Sequence, residues 1–527
     1  MGSGPAAAAT AMALTRRPDV EVTVIDVGLL LEGERQSAVE ILAGQDAAAW
    51  DSDMAALISE QPVRQAGSRG LPEKRAYGSN FPFRDIGQLD GIAAAPPANR
   101  SVVSGAYGGF SNVWGAQVMP FADSVFATWP VGAPTMRTHY ECVLEQIPFA
   151  AEPDDLAEHF PLIGNAVPLP EVSFRTAAVL SAYSRHRSRI NALGMTIGKA
   201  RLAFRAGGCV RIGLCMTGCP YSLVYSASQT FDALRAAGRV TYHSGLLALE
   251  VGERDGRPRV VTKELATGTL RNFEADRIFL ACGGIGTTRL VLNSLRLFGL
   301  ELTMGESQQF TLPFLSRRAS PDPRNEPQFT LNQFNATVAM DDEGYELSQL
   351  HFYTYNPAFA DALPRALRMR ITAAGKWQLL RRLTVALGYL PSWNSPRLAV
   401  RALGPRRPDA LPELQISKTP APPARRRMLR SVMARVARAA PQLDLYPILP
   451  MLRLSAAGKS YHWGGSFPHQ AHPDSRFSTD VLGRPLGWRH IHLVDASVFP
   501  SVAATTFTLT VMANAHRIAT EALHLDD

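Results

Sequence analysis

Buried-type apolar runs and short glycine turns recur along the chain in a pattern that predicts a mixed α/β fold. Near the N-terminus, residues 6–16 are predicted to form a helix and residues 21–26 a buried parallel strand. A second buried strand is predicted at Ile278–Ala281, followed by the glycine turn Gly283–Gly286 and a helix that begins at Thr288. Strands and helices joined by glycines in this way are typical of a nucleotide-binding sheet.

The middle of the chain shows the alternation of apolar and polar residues that is typical of antiparallel strands. Val240–Phe279 predicts a meander of strands with glycine turns. Alternating residues in Gln328–Ala339 and Leu347–Tyr355 predict an antiparallel sheet whose faces would line a substrate cavity. Helices are predicted at residues 363–389 and 423–439, and both carry many basic residues. In the first helix these include Arg365, Arg368, Arg370, Lys376, Arg381 and Arg382.

Composition limits the classes of protein that this chain can represent. With 527 residues, of which 46% are hydrophobic, the chain is long enough for two joined domains with large cores. The net charge of +8 is mild for this length, and no aromatic-studded basic segment indicates nucleic-acid binding. Two charge-free runs, Ser101–Ala122 and Ala496–Ala515, are rich in small and polar residues, which favours buried segments over membrane spans. Because no secretory signal is recognisable, a cytoplasmic location is expected.

The N-terminal residues have the spacing of a loop that binds dinucleotide phosphates. Gly2 and Gly4 allow a tight turn, and Ala7 is small enough for close helix packing. The helix that opens near Pro5 would direct its positive end at a pyrophosphate, and Asp26 follows the strand where an acidic residue would bind a ribose hydroxyl. The strand that should precede Gly2 is missing from the sequence, so we expect translation to begin further upstream.

Four stretches make the chain resemble the glucose–methanol–choline (GMC) family of flavin oxidoreductases nearly from end to end. They are the N-terminal loop, Ser104–Ala116, Arg277–Ser294 and Tyr461–Arg517. The resemblance implies an α/β fold, in which a Rossmann-like FAD-binding domain is joined to an α+β substrate domain with an antiparallel sheet. It also implies that FAD is the cofactor and that the reaction is the oxidation of an alcohol or sugar hydroxyl.

The same resemblance divides the chain into two discontinuous domains. The FAD-binding domain would comprise residues 1–135, 200–300 and 456–527. The substrate domain and its connecting segments would comprise residues 136–199 and 301–455. Both domains would meet at the flavin.

The resemblance also assigns the catalytic residues. His462 falls at the position of the family's catalytic histidine, and imidazole suits the removal of a hydroxyl proton because its ordinary pKa lies near neutrality. Thr506 stands where most members carry a second histidine or an asparagine. Threonine can donate a hydrogen bond to the substrate oxygen, but it cannot replace a base. We favour the interpretation that His462 works with a hydroxyl assistant over a departure from alcohol oxidation.

Several backbone and side-chain groups are expected to contact the flavin. Glycines in the Ser104–Ala116 stretch would let the backbone approach the ring closely. The C-terminal stretch would bring backbone groups to the ribityl chain and the pyrophosphate. The implied contacts are Gly2, Gly4, Ala7, Asp26, Gly108, Gly109, Ser111, Asn112, Asp495, Ala496 and Thr506.

Three of the five cysteines, Cys209, Cys215 and Cys219, stand close together in the sequence with a proline after the last. Their spacing resembles that of the FAD-dependent sugar dehydrogenases of the same family, whose catalytic subunits hold a three-iron cluster. The resemblance implies a 3Fe-4S iron–sulfur cluster, through which electrons would pass to a cytochrome or quinone partner. The alternative is a loop that keeps its cysteines for packing and binds no metal.

The electron acceptor and the substrate stay open at this point. The favoured interpretation is a dehydrogenase that uses an external acceptor. The alternatives are an oxidase that reduces oxygen, a lyase or isomerase with a structural flavin, and a nonredox binding protein. The cysteine loop suggests a sugar, and steroids, lipids or other alcohols are further candidates. The basic helices are interpreted first as solvated helix faces, and peripheral membrane association is the alternative.

Overall fold

A computed structural model describes residues 1–60, 74–85, 92–94, 102–326, 328–341, 346–355, 372–456 and 458–524. The helices in these ranges are α1 (Pro5–Leu14), α2 (Gly33–Ala43), α3 (Ser52–Ser59), α4 (Ala133–Leu144), α5 (Phe174–Asn191), α6 (Ala227–Ala236), α7 (Gly284–Ser294), α8 (Ala373–Leu380), α9 (Ala424–Leu443) and α10 (Thr508–Leu523). The strands are β1 (Val22–Ile25), β2 (Ile92–Ala94), β3 (Met195–Lys199), β4 (Val240–His243), β5 (Leu246–Arg254), β6 (Arg257–Glu264), β7 (Leu270–Glu274), β8 (Ile278–Leu280), β9 (Glu301–Glu306), β10 (Gln309–Leu315), β11 (Phe334–Ala339), β12 (Leu347–Tyr353), β13 (Leu383–Tyr389), β14 (Leu398–Ala402), β15 (Leu414–Lys418), β16 (Tyr446–Pro447), β17 (Arg453–Leu454), β18 (Trp463–Gly464) and β19 (Ile491–Leu493).

Two pairs of parallel strands surround the N-terminal loop. Strand β1 pairs with β4, and β8 pairs with β19. The backbone of Met1 and Gly2 lies between the two pairs, because the Gly2 N–H donates to the Ile25 carbonyl at 2.8 Å and the Ala281 N–H donates to the Met1 carbonyl at 3.0 Å. Helix α1 consists of small and apolar residues, is buried along its whole length and packs against α10. These contacts fix the N-terminal loop at the end of β1.

A seven-stranded antiparallel sheet forms the other half of the fold. Its strand order is β16–β10–β13–β12–β11–β3, with β17 also pairing with β10. One face of the sheet carries Phe310, Leu312 and Phe352, which pack with residues of α5 and α9 in a hydrophobic core. Side chains alternate between the faces of a strand, so the intervening residues point to the opposite side of the sheet. That opposite side forms one wall of the candidate site.

A five-stranded sheet supports the segment around His462. Its order is β18–β9–β14–β15–β2. Strand β18 follows His462 directly and pairs antiparallel with the end of β9, where Trp463 is opposite Glu306. The position of His462 is therefore set by a strand that lies far from it in the sequence.

The mixed α/β fold with antiparallel sheets agrees with the fold class expected from the sequence. Strands β1, β8 and β12 and helix α9 lie where the pattern predicted them. Helix α7 begins at Gly284, four residues before the predicted start at Thr288, and only the second half of Gln328–Ala339 forms a strand. The division into two discontinuous domains stays a prediction.

The predicted helix at residues 363–389 is wrong for residues 383–389. Residues 363–371, including Arg365, Arg368 and Arg370, lie outside the described residues. After the short helix α8, residues 383–389 form strand β13 instead of continuing the helix. The physical reason is non-local, because β13 is paired on both sides, with β10 and with β12.

Among the described residues, no helix combines the length and the apolar character needed to cross a membrane. The charge-free run after Ala496 instead forms a short turn and the buried start of α10. In the basic helix α9, the apolar side chains Val432, Val436 and Leu443 are buried in the core, while Arg426 and Arg430 are exposed. Membrane association stays a prediction.

Candidate active site

A cavity of about 1590 Å³ extends from the N-terminal loop past His462 to the seven-stranded sheet. The residues expected from the sequence that line it are Gly2, Gly4, Asp26, Gly109, Ser111, His462, Asp495, Ala496 and Thr506. Ala7, Gly108 and Asn112 do not line it, and neither do the three clustered cysteines. The two ends of the chain thus meet in one cavity.

The N-terminal loop leaves room for a ligand at the start of α1. Gly4 is the N-cap residue of this helix, and a Cβ atom there would meet no atom within 4 Å. Gly2 is needed for a different reason: its φ is +88°, and a Cβ would lie 2.6 Å from the carbonyl oxygen of Ala281. The unpaired N–H groups and positive dipole at the N-terminus of α1 suit an anionic group.

Asp26 lies at the centre of a small hydrogen-bond network beside this loop. Its carboxylate accepts hydrogen bonds from the hydroxyl of Ser3 and, at 2.9 Å, from that of Tyr242. Ser3 in turn accepts a hydrogen bond from the Gly108 N–H at 3.0 Å. Burial raises the pKa of Asp26 to about 6. Sequence reasoning missed Ser3 and Tyr242, although Ser3 stands between the two glycines of the loop.

The second glycine loop packs directly on the first. Gly109 has a φ of +59°, and a Cβ there would lie 3.3 Å from the Cα of Gly4. Asn112 stabilises this loop, because its side-chain amide donates to the carbonyls of Tyr107 at 2.9 Å and Gly109 at 2.7 Å. The hydroxyl of Ser111 accepts a hydrogen bond from the Ala227 N–H at 2.9 Å. Asn112 therefore shapes the cavity wall without facing the cavity.

The C-terminal stretch forms the wall between the loop and His462. Asp495 is buried, accepts hydrogen bonds from the Thr287 hydroxyl and, at 2.9 Å, from the Ser497 N–H, and its pKa is raised by burial. Gly464 lies against the following turn so closely that a Cβ would be 2.4 Å from the carbonyl oxygen of Ala496. Strand β18 and this turn are thus held in backbone contact.

His462 lies inside the cavity between two aromatic rings. Its ring is stacked on Tyr389, with 5.0 Å between centroids, and the Phe507 ring centroid is 4.9 Å away. Burial lowers the pKa of His462 to about 4, so the imidazole is neutral at pH 7. Its Nδ1 and the buried hydroxyl of Thr506 have no hydrogen-bond partner within the described chain. Two unsatisfied polar groups in one cavity indicate a place for a bound ligand.

Glu306 holds the segment before His462 and was missed by sequence reasoning. Its buried carboxylate accepts hydrogen bonds from the Ser460 hydroxyl at 2.7 Å and from the Gly458 N–H at 2.9 Å. Tyr461, next to His462, has a φ of +57°, which is unusual for a residue with a side chain. No local pattern in the sequence indicated this carboxylate, since its partners lie about 150 residues away.

A second imidazole, His351, lies on the sheet wall of the cavity. Its Nε2 bonds to the side-chain oxygen of Gln349 at 2.7 Å, and this oxygen also accepts a hydrogen bond from the Thr505 hydroxyl at 2.5 Å. Burial and, to a smaller extent, the nearby His462 lower the pKa of His351 to about 3. Tyr389, which is stacked on His462, also contacts His351. The ring centroids of Tyr389 and His351 are 5.0 Å apart.

Lys74 adds a positive charge to the same cavity. It makes no ion pair with a carboxylate in the described ranges of the chain, and burial lowers its pKa to about 8. The Lys74 amine is therefore still mostly protonated at pH 7. Sequence reasoning missed this lysine as well.

The expected metal site at Cys209, Cys215 and Cys219 is not supported. Across the described ranges, no group of three or more histidine, cysteine or acidic side chains is arranged to hold a metal ion. Burial raises the pKa of all three thiols, that of Cys219 to about 11, so they are neutral thiols in the metal-free chain. The three residues pack at the edge of the main hydrophobic core. The packing interpretation of this loop fits the structure better.

Comparison with known proteins identifies the fold. No model of a protein family matches the chain, and no curated protein matches it. Among solved structures, pyridoxine 4-oxidase from Mesorbium loti matches 99% of this chain over 98% of its own, with a TM-score of 0.59 and 17% identity. A formate oxidase variant of Aspergillus oryzae RIB40, made to examine FAD modification, matches 100% of this chain over 98% of its own, with a TM-score of 0.60 and 13% identity. The likeness over the whole chain shows that this chain has the same overall fold as these two oxidases.

Proposed function

We propose that this protein is an FAD-dependent oxidoreductase that oxidises the hydroxyl-bearing carbon of an alcohol, with His462 as the base. One observation carries the proposal: the cavity that begins at the N-terminal glycine loop also contains a neutral imidazole, that of His462, whose Nδ1 has no hydrogen-bond partner within the described chain. The similarity in fold to two flavin-type oxidases agrees with it.

The residues of the cavity fit the parts of an FAD molecule. The open space at Gly4 and the helix N-terminus behind it suit the pyrophosphate, and Asp26 suits the ribose hydroxyls. Lys74 supplies a further positive charge. When bound, FAD supplies the acceptor for the hydride that leaves the carbinol carbon.

His462 takes the hydroxyl proton of the substrate in this proposal. The neutral imidazole presents a nitrogen lone pair, and its burial between aromatic rings keeps it unprotonated at pH 7. The Thr506 hydroxyl, which is also unsatisfied, donates a hydrogen bond to the oxygen as negative charge develops there. The product is the corresponding carbonyl compound.

Two acceptors for the electrons are compared. An external acceptor, as in a dehydrogenase, follows from the sequence resemblance, but its cysteine cluster lacks structural support. Oxygen is the second candidate, because both structural neighbours are named oxidases. Production of hydrogen peroxide during turnover in air supports the oxidase; turnover only with an added dye or quinone supports the dehydrogenase.

The proposal is tested by the visible spectrum of the purified protein. We expect flavin bands that are bleached by an alcohol without oxygen in the wild-type protein and not in His462→Ala. A protein that binds no FAD when the cofactor is added would overturn the proposal. Bound flavin that no alcohol bleaches, together with a nonredox turnover, would instead favour a lyase or isomerase.

A further inference from the structure

One face of the seven-stranded sheet forms a wall of the cavity beyond His462. On β13, the alternating residues Leu383, Val385, Leu387 and Tyr389 line the cavity. The intervening Ala386 belongs to the hydrophobic core on the other face. The strand thus presents one continuous row of side chains to the cavity.

The polarity of this wall changes with distance from His462. Tyr389, whose ring is stacked on His462, is paired with Gln309 on β10 and with Gln349 on β12. Two residues further along β13 lies Leu387, and after it Val385, which is paired with Pro313 on one side. Leu387 is flanked by Thr311 and His351, and Val385 by Pro313 and Tyr353, so polar and apolar side chains alternate across the sheet near the imidazole. The wall becomes mainly apolar only towards Leu383, which is paired with Leu315.

Residues from other segments extend the apolar part. The cavity is also lined by Leu379 of α8 and, from the segment beside β10, by Ile448 and Met451. Along β13, the six steps from Tyr389 to Leu383 cover about 20 Å at the usual rise per strand residue. A molecule placed with its hydroxyl at His462 would therefore have its far end among aliphatic side chains.

Resting on the proposed function, we propose that the substrate is an elongated, apolar alcohol with its hydroxyl at one end. The body of this alcohol lies along Leu387, Val385 and Leu383, and its hydroxyl reaches His462. Burying each added methylene group favours binding, whereas sugar hydroxyls placed against Leu387, Val385 and Leu383 would lose water and gain no hydrogen-bond partner from these three side chains.

The first test measures kcat/KM with an artificial electron acceptor for linear primary alcohols from ethanol to dodecanol and for glucose. We expect kcat/KM to rise by up to about fourfold for each methylene until the apolar wall is covered. Glucose is expected to react at least about 100-fold more slowly than octanol. Equal values along the series, or a preference for glucose over octanol, would overturn the inference.

Two neighbouring substitutions on β13 provide the variant and its control. Val385→Thr keeps the side-chain shape and adds a hydroxyl to the apolar wall, so kcat/KM for decanol should fall about fivefold while that for ethanol changes less than twofold. Thr384 faces the opposite side of the strand, and Thr384→Val should leave the dependence on chain length unchanged. The inference fails if the two variants have the same effect.

A binding measurement separates this inference from the proposed function. The fluorescent probe N-phenyl-1-naphthylamine is bound to the protein and displaced with octanol, which requires no flavin reduction. If octanol displaces the probe, and does so less well in Val385→Thr, the apolar site is supported even when no alcohol reduces the flavin. If short alcohols reduce the flavin but octanol neither displaces the probe nor reacts faster, the inference is wrong and the proposed function stands.

Discussion

The hydroxyl of Ser460 donates a hydrogen bond of 2.7 Å to the carboxylate of Glu306, which stands 154 positions earlier in the chain. The N–H of the next residue, Ser307, donates to the carbonyl oxygen of His462 at 2.9 Å. The end of β9 therefore holds His462 from both sides. The buried carboxylate of Glu306 thus orients the candidate base His462, although Glu306 itself does not line the cavity.

Glu306→Gln is expected to lower kcat by roughly tenfold or more, because an amide cannot accept all the hydrogen bonds that the carboxylate accepts and His462 loses its fixed position. FAD content and KM should change little. Glu301→Gln, an exposed position on the same strand, is the matched control. Rescue of kcat by Glu306→Asp would support the positioning role, and an equal loss in the Glu301 variant would contradict it.

His462→Ala is expected to lower the rate of flavin reduction by roughly 100-fold or more and to leave FAD bound. The reason is that His462 lies in the cavity as a neutral imidazole whose Nδ1 has no hydrogen-bond partner within the described chain. Rapid-mixing absorbance at the flavin band measures this rate. The exposed His472→Ala serves as the control. An unchanged rate in His462→Ala removes this residue from the mechanism.

The pH profile of kcat/KM should be flat near neutrality and fall only in strong acid. Burial lowers the pKa of His462 to about 4, so the imidazole is neutral above this pH and accepts a proton. As the pH falls through about 4, the imidazolium forms and kcat/KM should drop about tenfold per unit. A limb near the ordinary histidine pKa of about 6.5 would show that the imidazole is solvated in the working enzyme.

Gly4→Val is expected to weaken FAD binding by roughly 100-fold while the fold is kept. The added side chain enters the open space at the start of α1, where a Cβ meets no atom within 4 Å, and it would occupy the place of the pyrophosphate. Titration of the cofactor-free protein with FAD measures the affinity. Gly33→Val, at a glycine that is equally open and starts α2, should bind FAD normally. Normal FAD binding by Gly4→Val would place the phosphates elsewhere.

Replacement of Cys209, Cys215 and Cys219 by serine is expected to leave the iron content and the rate with an artificial acceptor unchanged. Their side chains pack at the edge of the main hydrophobic core and form no metal-binding group within the described chain. Cys142→Ser, on α4, is the control for a general effect of losing a thiol. Stoichiometric iron in the wild-type protein that is lost in the triple variant would restore the cluster.

Much of the candidate site follows from short stretches of sequence. The loop at Gly2 and Gly4, the acidic residue Asp26 after β1 and the position of His462 were all predicted, and all line one cavity. The first two depend on local features, namely a turn that needs glycine and a short apolar run that ends in an acidic residue, and the third depends on the resemblance of the surrounding stretch to a known family. Local features of this kind can be predicted from residues that are adjacent in the sequence.

The sequence alone predicted the class of the fold and the nucleotide-type loop from neighbouring residues, and it predicted the candidate base through the resemblance of Tyr461–Arg517 to a known family. The tertiary structure decided three other things. It turned residues 383–389 into a strand by pairing them on both sides, it brought Glu306 to Ser460, and it packed the three cysteines of one loop against the main hydrophobic core, with no metal-binding group among the described residues. Pairing, burial and the polarity of a cavity wall depend on which distant segments meet. A local sequence pattern cannot predict which distant segments pack together, because the free energy of that packing is gained only when the chain is folded.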